Sequence, residues 1–154
     1  CAPVGSVIVG SREFIKRAHR VRKSLGGGIR QAGILAAAGL IALNEMGLPQ
    51  RLGQDHANAR ALAEGLAALP HVTLDLSQVR TNMFKFALTA DAPITVEDFM
   101  RILQADYGII IRPYNMDERS FRLVTHYYIQ REQVRQVLAA VGELLGAPVG
   151  AVTG

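Results

Sequence analysis

The stretch Met83-Phe84-Lys85-Phe86-Ala87-Leu88 places a charged residue between two phenylalanines. Because successive side chains of an extended chain point to opposite sides, this alternation predicts a β-strand with one buried face. Val72 to Leu76 alternates in the same way, and Gly108 to Arg112 and Phe121 to Thr125 are further predicted strands. These segments predict a small sheet in the second part of the chain.

Three helices are predicted around these strands. The first runs from Gln50 to Leu69, and the last covers about Arg131 to Leu145. Between them, Thr95 followed by Asp98 approximates a capping box for a helix over residues 96–105. This order of elements predicts an α+β lobe in which helices cover one face of a mainly antiparallel sheet.

The first 47 residues have a different pattern. Ser6 to Val9 is a short continuous apolar run, which is typical of a buried strand. Arg12 to Leu25 predicts an amphipathic helix, and Ile29 to about Met46 predicts a helix that is apolar on every face. A helix that is apolar on every face must be buried all round. We therefore expect the helix from Ile29 to about Met46 to connect two domains or to form a seam between subunits.

A break in the pattern at Gly47-Leu48-Pro49 predicts a domain boundary. Residues 1–47 are predicted to be the end of a large α/β domain with a connecting helix, and residues 48–154 a small α+β domain. A crevice between two such lobes is an expected ligand site.

Composition excludes several classes of protein. Apolar residues make up 49% of the 154 residues and charged residues 19%, which indicates a globular rather than a disordered chain. No apolar run approaches the roughly 20 residues of a membrane-spanning helix. Cys1 is the single cysteine, which excludes an internal disulfide and favours a reducing compartment. The histidines have no metal-ligand spacing, so no metal site is predicted.

Basic residues are concentrated between Arg12 and Arg30. The triple glycine at 26–28 has Lys23 before it and Arg30 after it, and flexible backbone amides with two cations can gather around a phosphate. The alternative is a glycine hinge flanked by solvated charges. Nucleic-acid binding is disfavoured, because no aromatic residue is interleaved with the charges beyond Phe14.

Arg122 stands inside the otherwise apolar predicted strand Phe121 to Thr125. If its side chain points into a crevice, it can hold a carboxylate through two parallel hydrogen bonds. If it points outward, it is an ordinary strand arginine. His126 ends the same strand and is either a site residue or a structural histidine, and Asn82 is expected to cap or turn the backbone. The residues alone predict an anion-binding crevice without an evident catalytic group.

Six ordered blocks of the chain resemble the low-specificity L-threonine aldolases. They are Cys1-Ala2-Pro3-Val4-Gly5-Ser6, Gly26-Gly27-Gly28-Ile29-Arg30-Gln31-Ala32-Gly33, Leu35-Ala36-Ala37-Ala38-Gly39, Asp55-His56-Ala57-Asn58-Ala59, Thr81-Asn82-Met83 and Arg122-Leu123-Val124-Thr125-His126. The resemblance covers nearly the whole chain and implies the C-terminal part of an α/β fold-type I enzyme that depends on pyridoxal phosphate. The start at Cys1, without Met or a signal-peptide pattern, agrees with a piece of a longer protein.

The resemblance implies an activity and a set of site residues. Members of this family cleave L-threonine and L-allo-threonine to glycine and acetaldehyde, so a role in threonine catabolism and glycine biosynthesis in the cytoplasm is expected. Arg122 matches the arginine that grips the substrate carboxylate, and Lys23 and Arg30 match cations near the cofactor phosphate. Members assemble as tetramers, so a homotetramer is expected, without a nucleic-acid or membrane partner.

The resemblance also implies that this chain has no catalytic residue of its own. The family's Schiff-base lysine would lie upstream of Cys1, and Lys16, Lys23 and Lys85 do not stand at that position. We therefore expect the isolated chain to lack aldolase activity. Two alternatives stay open: a related pyridoxal-phosphate-dependent β-eliminating lyase, and a non-catalytic truncated subunit or interaction module.

Overall fold

The computed structural model of the protein describes residue 2 and residues 4–46 and 50–146. Contacts between Cα atoms divide the chain into two compact units, Cys1–Arg51 and Leu52–Gly154. The predicted boundary at Gly47-Leu48-Pro49 lies outside the described residues. The assignment of residues 1–47 to a large domain stays a prediction.

The first unit contains two helices, α1 (Arg12–Ser24) and α2 (Ala32–Ile41), and α2 continues into a π-helical segment, Ala42–Met46. The prediction of α1 is confirmed, and the Ser11 side chain caps it by accepting a hydrogen bond from the Phe14 backbone N–H at 3.2 Å. The predicted strand at Ser6 to Val9 is wrong, since residues 4–11 form no regular structure.

The predicted burial of the apolar helix is not found within this chain alone, and its role as a connecting helix or a seam between subunits stays a prediction. No residue of α2 is buried, and the side chains of Ile34 and Leu40 are 77% and 60% exposed. Val7 and Val9 of the predicted strand are 81% and 84% exposed. A helix that is apolar on every face needs cover on every side, and an extended run needs a neighbouring strand to pair with. The described residues provide neither.

The second unit is built on a four-stranded sheet, which consists of β1 (Val72–Thr73), β2 (Met83–Leu88), β3 (Pro113–Asn115) and β4 (Ser120–Val124). The strands lie in the order β1-β2-β4-β3, and every neighbouring pair is antiparallel. The mainly antiparallel sheet is therefore confirmed, and β2 has the predicted bounds.

Two of the predicted strands differ from the structure. The strand that begins at Val72 ends at Thr73, because Leu76–Gln78 turns into a 3₁₀ helix capped by the Asp75 side chain. The strand predicted over Gly108 to Arg112 is wrong. Gly108 has a φ of 66° and reverses the chain after a helix, and the strand begins only at Pro113.

Three helices accompany the sheet, α3 (Gln50–Ala67), α4 (Val96–Tyr107) and α5 (Arg131–Leu144), and all three were predicted from their spacing and caps. The Thr95 hydroxyl accepts a hydrogen bond from the Asp98 N–H at 3.1 Å and donates to the Asp98 carboxylate at 3.2 Å. This pair closes the predicted cap of α4.

The core of the second unit lies between the helices and one face of the sheet. Phe84, Phe86 and Leu88 of β2 are each at most 4% exposed, and they alternate with residues on the opposite face. The ring of Phe121 in β4 lies 5.1 Å from Phe86 and 5.5 Å from Phe99 of α4 between centroids. The opposite face of the sheet, which we call the open face, carries the exposed side chains of Lys85 and Arg122 together with those of Met83 and Val124.

Gly65 allows α3 and α5 to approach each other closely. A Cβ atom at Gly65 would lie 2.5 Å from the Leu138 Cδ1 atom and 2.7 Å from Cδ2, and Leu138 is 8% exposed. Gly53 in the same helix has no atom within 4 Å of its Cβ position.

We expect Gly65→Leu to lower the free energy of unfolding by about 1 to 3 kcal/mol, because overpacking forces the helices apart. Gly53→Leu gains helix propensity without a clash and should leave stability equal or up to about 1 kcal/mol higher. Urea denaturation of both variants measures the difference. Equal stability of the two variants would show that α3 and α5 do not meet at Gly65.

Within residues 4–46 and 50–146, no helix combines the length and the apolar character that crossing a bilayer requires.

Candidate functional site

Arg122 and Lys85 lie side by side on the open face of the sheet. The register of β2 and β4 pairs Lys85 directly with Arg122, while Phe84 and Phe86 pair with residues that point to the core. Both cationic side chains are exposed. Directly opposed side chains of an antiparallel pair have Cβ atoms about 5 Å apart. Two positive charges are therefore adjacent on one flat surface.

Tyr114 lies beside both of these cations. The Lys85 Nζ atom is 3.5 Å from the centroid of the Tyr114 ring, and the Arg122 Cζ atom is 5.8 Å from it. Pairing of β3 with β4 shifts register between Pro113 and Asn115, which makes Tyr114 the extra residue of a β-bulge. Bulges re-aim side chains. The bulge accounts for the position of an aromatic ring against two cations.

The two cations line a groove of about 430 Å³, together with Asp75, Gln78, Met83 and Phe84. Hydrogen bonds from the side chain and backbone N–H of Ser77 lower the pKa of Asp75, so its carboxylate is ionised at neutral pH. One of these bonds runs from the Ser77 N–H to the Asp75 Oδ1 atom at 2.9 Å. The Asp75 carboxylate is thus held in place by hydrogen bonds within its own turn.

The groove has an excess of positive charge. Among the described residues, no carboxylate forms an ion pair with Lys85 or Arg122 within 4.0 Å. This includes the Asp75 carboxylate, although it lines the same groove. Like charges directly opposite each other across two strands are destabilising. An anion bound between them would remove that repulsion, and an arginine fork matches the geometry of a carboxylate.

The end of the strand that carries Arg122 is anchored to α3. The buried Thr125 hydroxyl donates to the Asp55 backbone oxygen at 2.6 Å, and the Asn58 side chain donates to the Ile129 backbone oxygen at 2.8 Å. Asn82 donates from its side chain to the Thr125 backbone oxygen at 2.6 Å and accepts from the Thr125 N–H at 2.9 Å. These polar residues hold β4 in position, and Asn82 has the backbone-binding role that was predicted for it.

Lys23 and Arg30 lie in the first unit. Lys23 is in the last turn of α1, and its side chain folds over the glycine loop: a Cβ atom at Gly28 would lie 2.7 Å from both Lys23 Cδ and Lys23 Nζ. Arg30 is exposed shortly before α2, whose N-cap residue Gln31 makes no side-chain capping hydrogen bond. A lysine ammonium held over a glycine backbone is an arrangement that can bind a phosphate group.

His126 is exposed at the end of β4. Its ring meets that of Tyr128 edge-on at 6.1 Å, and its Nδ1 atom accepts a hydrogen bond from the Tyr128 N–H at 3.4 Å. These contacts give His126 a local structural partner. In the described part of the chain, no three His, Cys, Asp or Glu side chains come together in a way that could hold a metal ion.

Two residues of this face, Lys85 and Tyr114, were not predicted from the sequence as site residues. The alternation of β2 places Lys85 on the face opposite the phenylalanines, which was a usable signal. Its pairing with Arg122 depends on the register between strands that are distant in the chain. No local pattern indicates the bulge at Tyr114, which falls between the two segments that were predicted as strands.

Comparisons with known proteins agree with the resemblance noted in the sequence. The family model described as "Beta-eliminating lyase" matches residues 1–89. The chain is 41% identical over 138 residues to "Low-specificity L-threonine aldolase 1" of Arabidopsis thaliana, which covers 90% of this chain and 37% of that protein. It is 39% identical over 137 residues to "Low specificity L-threonine aldolase" of Escherichia coli (strain K12), covering 89% and 37%.

A similar relative is known from yeast, and one solved structure shares the fold. The chain is 32% identical over 145 residues to "Low specificity L-threonine aldolase" of Saccharomyces cerevisiae, covering 92% of this chain and 34% of that protein. A decarboxylase from Sulfurospirillum multivorans superimposes with a TM-score of 0.57 at 17% identity, over 75% of this chain and 30% of that one. At this identity the likeness concerns the fold alone. The chain thus spans only about 37% of the length of the first relatives.

Proposed function

Because the chain belongs to the β-eliminating lyase family, we propose that it is the C-terminal part of a pyridoxal-phosphate-dependent aldolase. The proposed reaction cleaves L-threonine and L-allo-threonine to glycine and acetaldehyde. The names of the relatives support threonine as the substrate. The whole enzyme is proposed to be a cytoplasmic homotetramer.

The observation that carries the proposal is Arg122 in an open groove without a carboxylate partner among the described residues. An amino-acid substrate brings a carboxylate, and the guanidinium can hold both of its oxygens through parallel hydrogen bonds. Two such bonds fix the rotation of the substrate as well as its position. Arg122 would thereby orient the Cα–Cβ bond that is to be broken.

The glycine loop of the first unit fits the phosphate of the cofactor. Lys23 and Arg30 would hold that phosphate by charge, and the N–H groups at the start of α2 would add hydrogen bonds. Pyridoxal phosphate, when bound, accepts the electron pair released from the broken Cα–Cβ bond. The residues of this chain then act by binding and orientation, and none is proposed as the catalytic base or the Schiff-base lysine.

The proposal is tested on the whole protein that contains this chain. Incubation with L-threonine should release acetaldehyde and glycine in equal amounts, measured with alcohol dehydrogenase and by amino-acid analysis. The description of the matching family favours a second candidate, β-elimination. Release of ammonia from amino acids with a β leaving group, without acetaldehyde from threonine, would replace the aldolase by that activity.

A second experiment tests the proposed absence of a Schiff-base lysine from these 154 residues. We expect incubation of the isolated chain with pyridoxal phosphate and borohydride to give no labelling above that of surface amines, measured by mass spectrometry. Lys16, Lys23 and Lys85 are its lysines. Stoichiometric labelling of one of them would contradict the proposal. Labelling of the whole protein at a lysine elsewhere would support it against a non-catalytic module.

A further inference from the structure

The open face of the sheet carries two adjacent cations, Lys85 and Arg122, and the Asp75 carboxylate that also lines the groove forms no ion pair within 4.0 Å with either of them. Arg122 can by itself bind both oxygens of one carboxylate. Lys85 stands directly opposite it and has no ion pair with a carboxylate of the described residues. The Tyr114 ring contacts the Lys85 ammonium at 3.5 Å, but a ring has no net charge and cannot neutralise it. A single carboxylate bound at Arg122 would therefore leave the Lys85 ammonium without a direct ion-pair partner.

Tyr114 explains how the two cations are tolerated side by side. The negative face of an aromatic ring attracts a cation, with a favourable energy that offsets part of the repulsion between like charges. The bulge in β3 places this ring within 6 Å of both Lys85 Nζ and Arg122 Cζ. The arrangement holds the Lys85 ammonium at the groove, which Lys85 and Arg122 both line.

We propose that Lys85 and Arg122 together form a site for dicarboxylates, in which the Arg122 fork binds one carboxylate and the Lys85 ammonium binds the second. This inference rests on the proposed function in assigning a carboxylate to Arg122. The two anchors stand on neighbouring strands, with Cβ atoms about 5 Å apart. Their charged ends, Lys85 Nζ and Arg122 Cζ, both lie within 6 Å of the Tyr114 ring centroid. A ligand whose carboxylates are joined by one to three carbon atoms can reach two cations that are gathered around one ring. Lys85 is then the residue that determines the preference for a second negative charge.

The binding experiment uses two ligands of nearly equal size. Malonate carries two carboxylates, and monomethyl malonate carries one together with an uncharged ester. Isothermal titration of the whole protein that contains this chain, at low ionic strength, should show malonate binding about twofold to fivefold more tightly, as an additional exposed ion pair in water provides. The preference should shrink as salt is added, because exposed charges are screened.

Variants assign the preference to Lys85. Lys85→Met should reduce the affinity ratio of malonate to monomethyl malonate to about one, and Lys85→Arg should retain most of it. Lys16→Met removes the same charge from an exposed position in α1 and should leave the ratio unchanged. Because Lys85 is exposed, its replacements should keep the thermal midpoint of the parent chain, which circular dichroism verifies.

Equal binding of the two ligands to the parent chain, or an unchanged ratio in Lys85→Met, overturns the proposal. Its failure is distinguishable from that of the proposed function, because titration requires neither cofactor nor turnover. If the whole protein cleaves threonine and the ratio is one, only the dicarboxylate site is wrong. If the affinity ratio of malonate to monomethyl malonate depends on Lys85 and no acetaldehyde forms from threonine, the aldolase assignment fails and the dicarboxylate site stands.

In an active enzyme, malonate should also compete with threonine for the site. Lys85→Met should weaken that inhibition by the same factor by which it lowers the affinity ratio.

Discussion

Replacing Arg122 by glutamine in the whole protein is expected to lower kcat/KM for L-threonine by roughly two to three and a half orders of magnitude. The physical reason is the loss of one partner of an ion pair that becomes desolvated when substrate fills the site, which costs about 3 to 5 kcal/mol. Glutamine keeps hydrogen-bonding capacity but has neither the charge nor the planar fork of donors. We expect KM to rise and kcat to fall together, because the carboxylate contact both binds and orients the substrate.

Two further variants make this result specific. Arg122→Lys restores the charge without the bidentate geometry and should recover only part of the lost kcat/KM. Arg135→Gln removes an exposed arginine of α5 that pairs with Glu132 on the surface, and it should change kcat/KM less than twofold. Steady-state kinetics with threonine measure all three. A change below about fivefold in Arg122→Gln would show that Arg122 is an ordinary strand arginine.

Phe121→Ala is expected to lower the free energy of unfolding of the 154-residue chain by about 3 to 5 kcal/mol. Phe121 is 0% exposed, and its ring contacts Phe86 of the neighbouring strand and Phe99 of α4. Alanine would leave a cavity where the sheet and the helices meet, and it would remove both ring contacts. Since a whole domain is stable by only about 5 to 15 kcal/mol, this loss brings the second unit close to unfolding.

Urea denaturation followed by circular dichroism measures the effect. Phe121→Leu keeps most of the apolar volume and should lose clearly less stability than the alanine variant. Ile110→Ala truncates an apolar side chain that is 67% exposed, and it should change the free energy of unfolding by less than about 0.5 kcal/mol. If Phe121→Ala loses less than about 1 kcal/mol, the packing described here for the core is wrong.

The elements that could be predicted are those specified by local patterns. The cap formed by Thr95 and Asp98 locates the start of α4, and the alternation around Lys85 locates β2. The predicted strand over Gly108 to Arg112 failed because apolar side chains can pack against a core without pairing as a strand. Ile109 and Ile111 do so here. Strand pairing depends on the register with a partner, which the apolar pattern does not report.

The failures in the first unit have another cause. The apolar character of α2 correctly indicates a surface that is unfavourable in water. Whether such a surface is buried depends on what packs against it, and Ile34 is 77% exposed in this chain. The hydrophobic pattern therefore predicts that the surface of α2 needs to be buried, but it does not show that another part of this chain buries it.

For the site, the sequence by itself determined that Arg122 lies in a strand and that its neighbours Phe121 and Leu123 face the other way, because side chains alternate along every extended chain. Only the tertiary structure decided that Lys85 lies opposite Arg122 and that a bulge brings Tyr114 against both. The physical reason is that the register of β2 against β4 arises from hydrogen bonds between strands far apart in the chain, and that the bulge in β3 arises from its pairing with β4. These bonds form only when the sheet assembles.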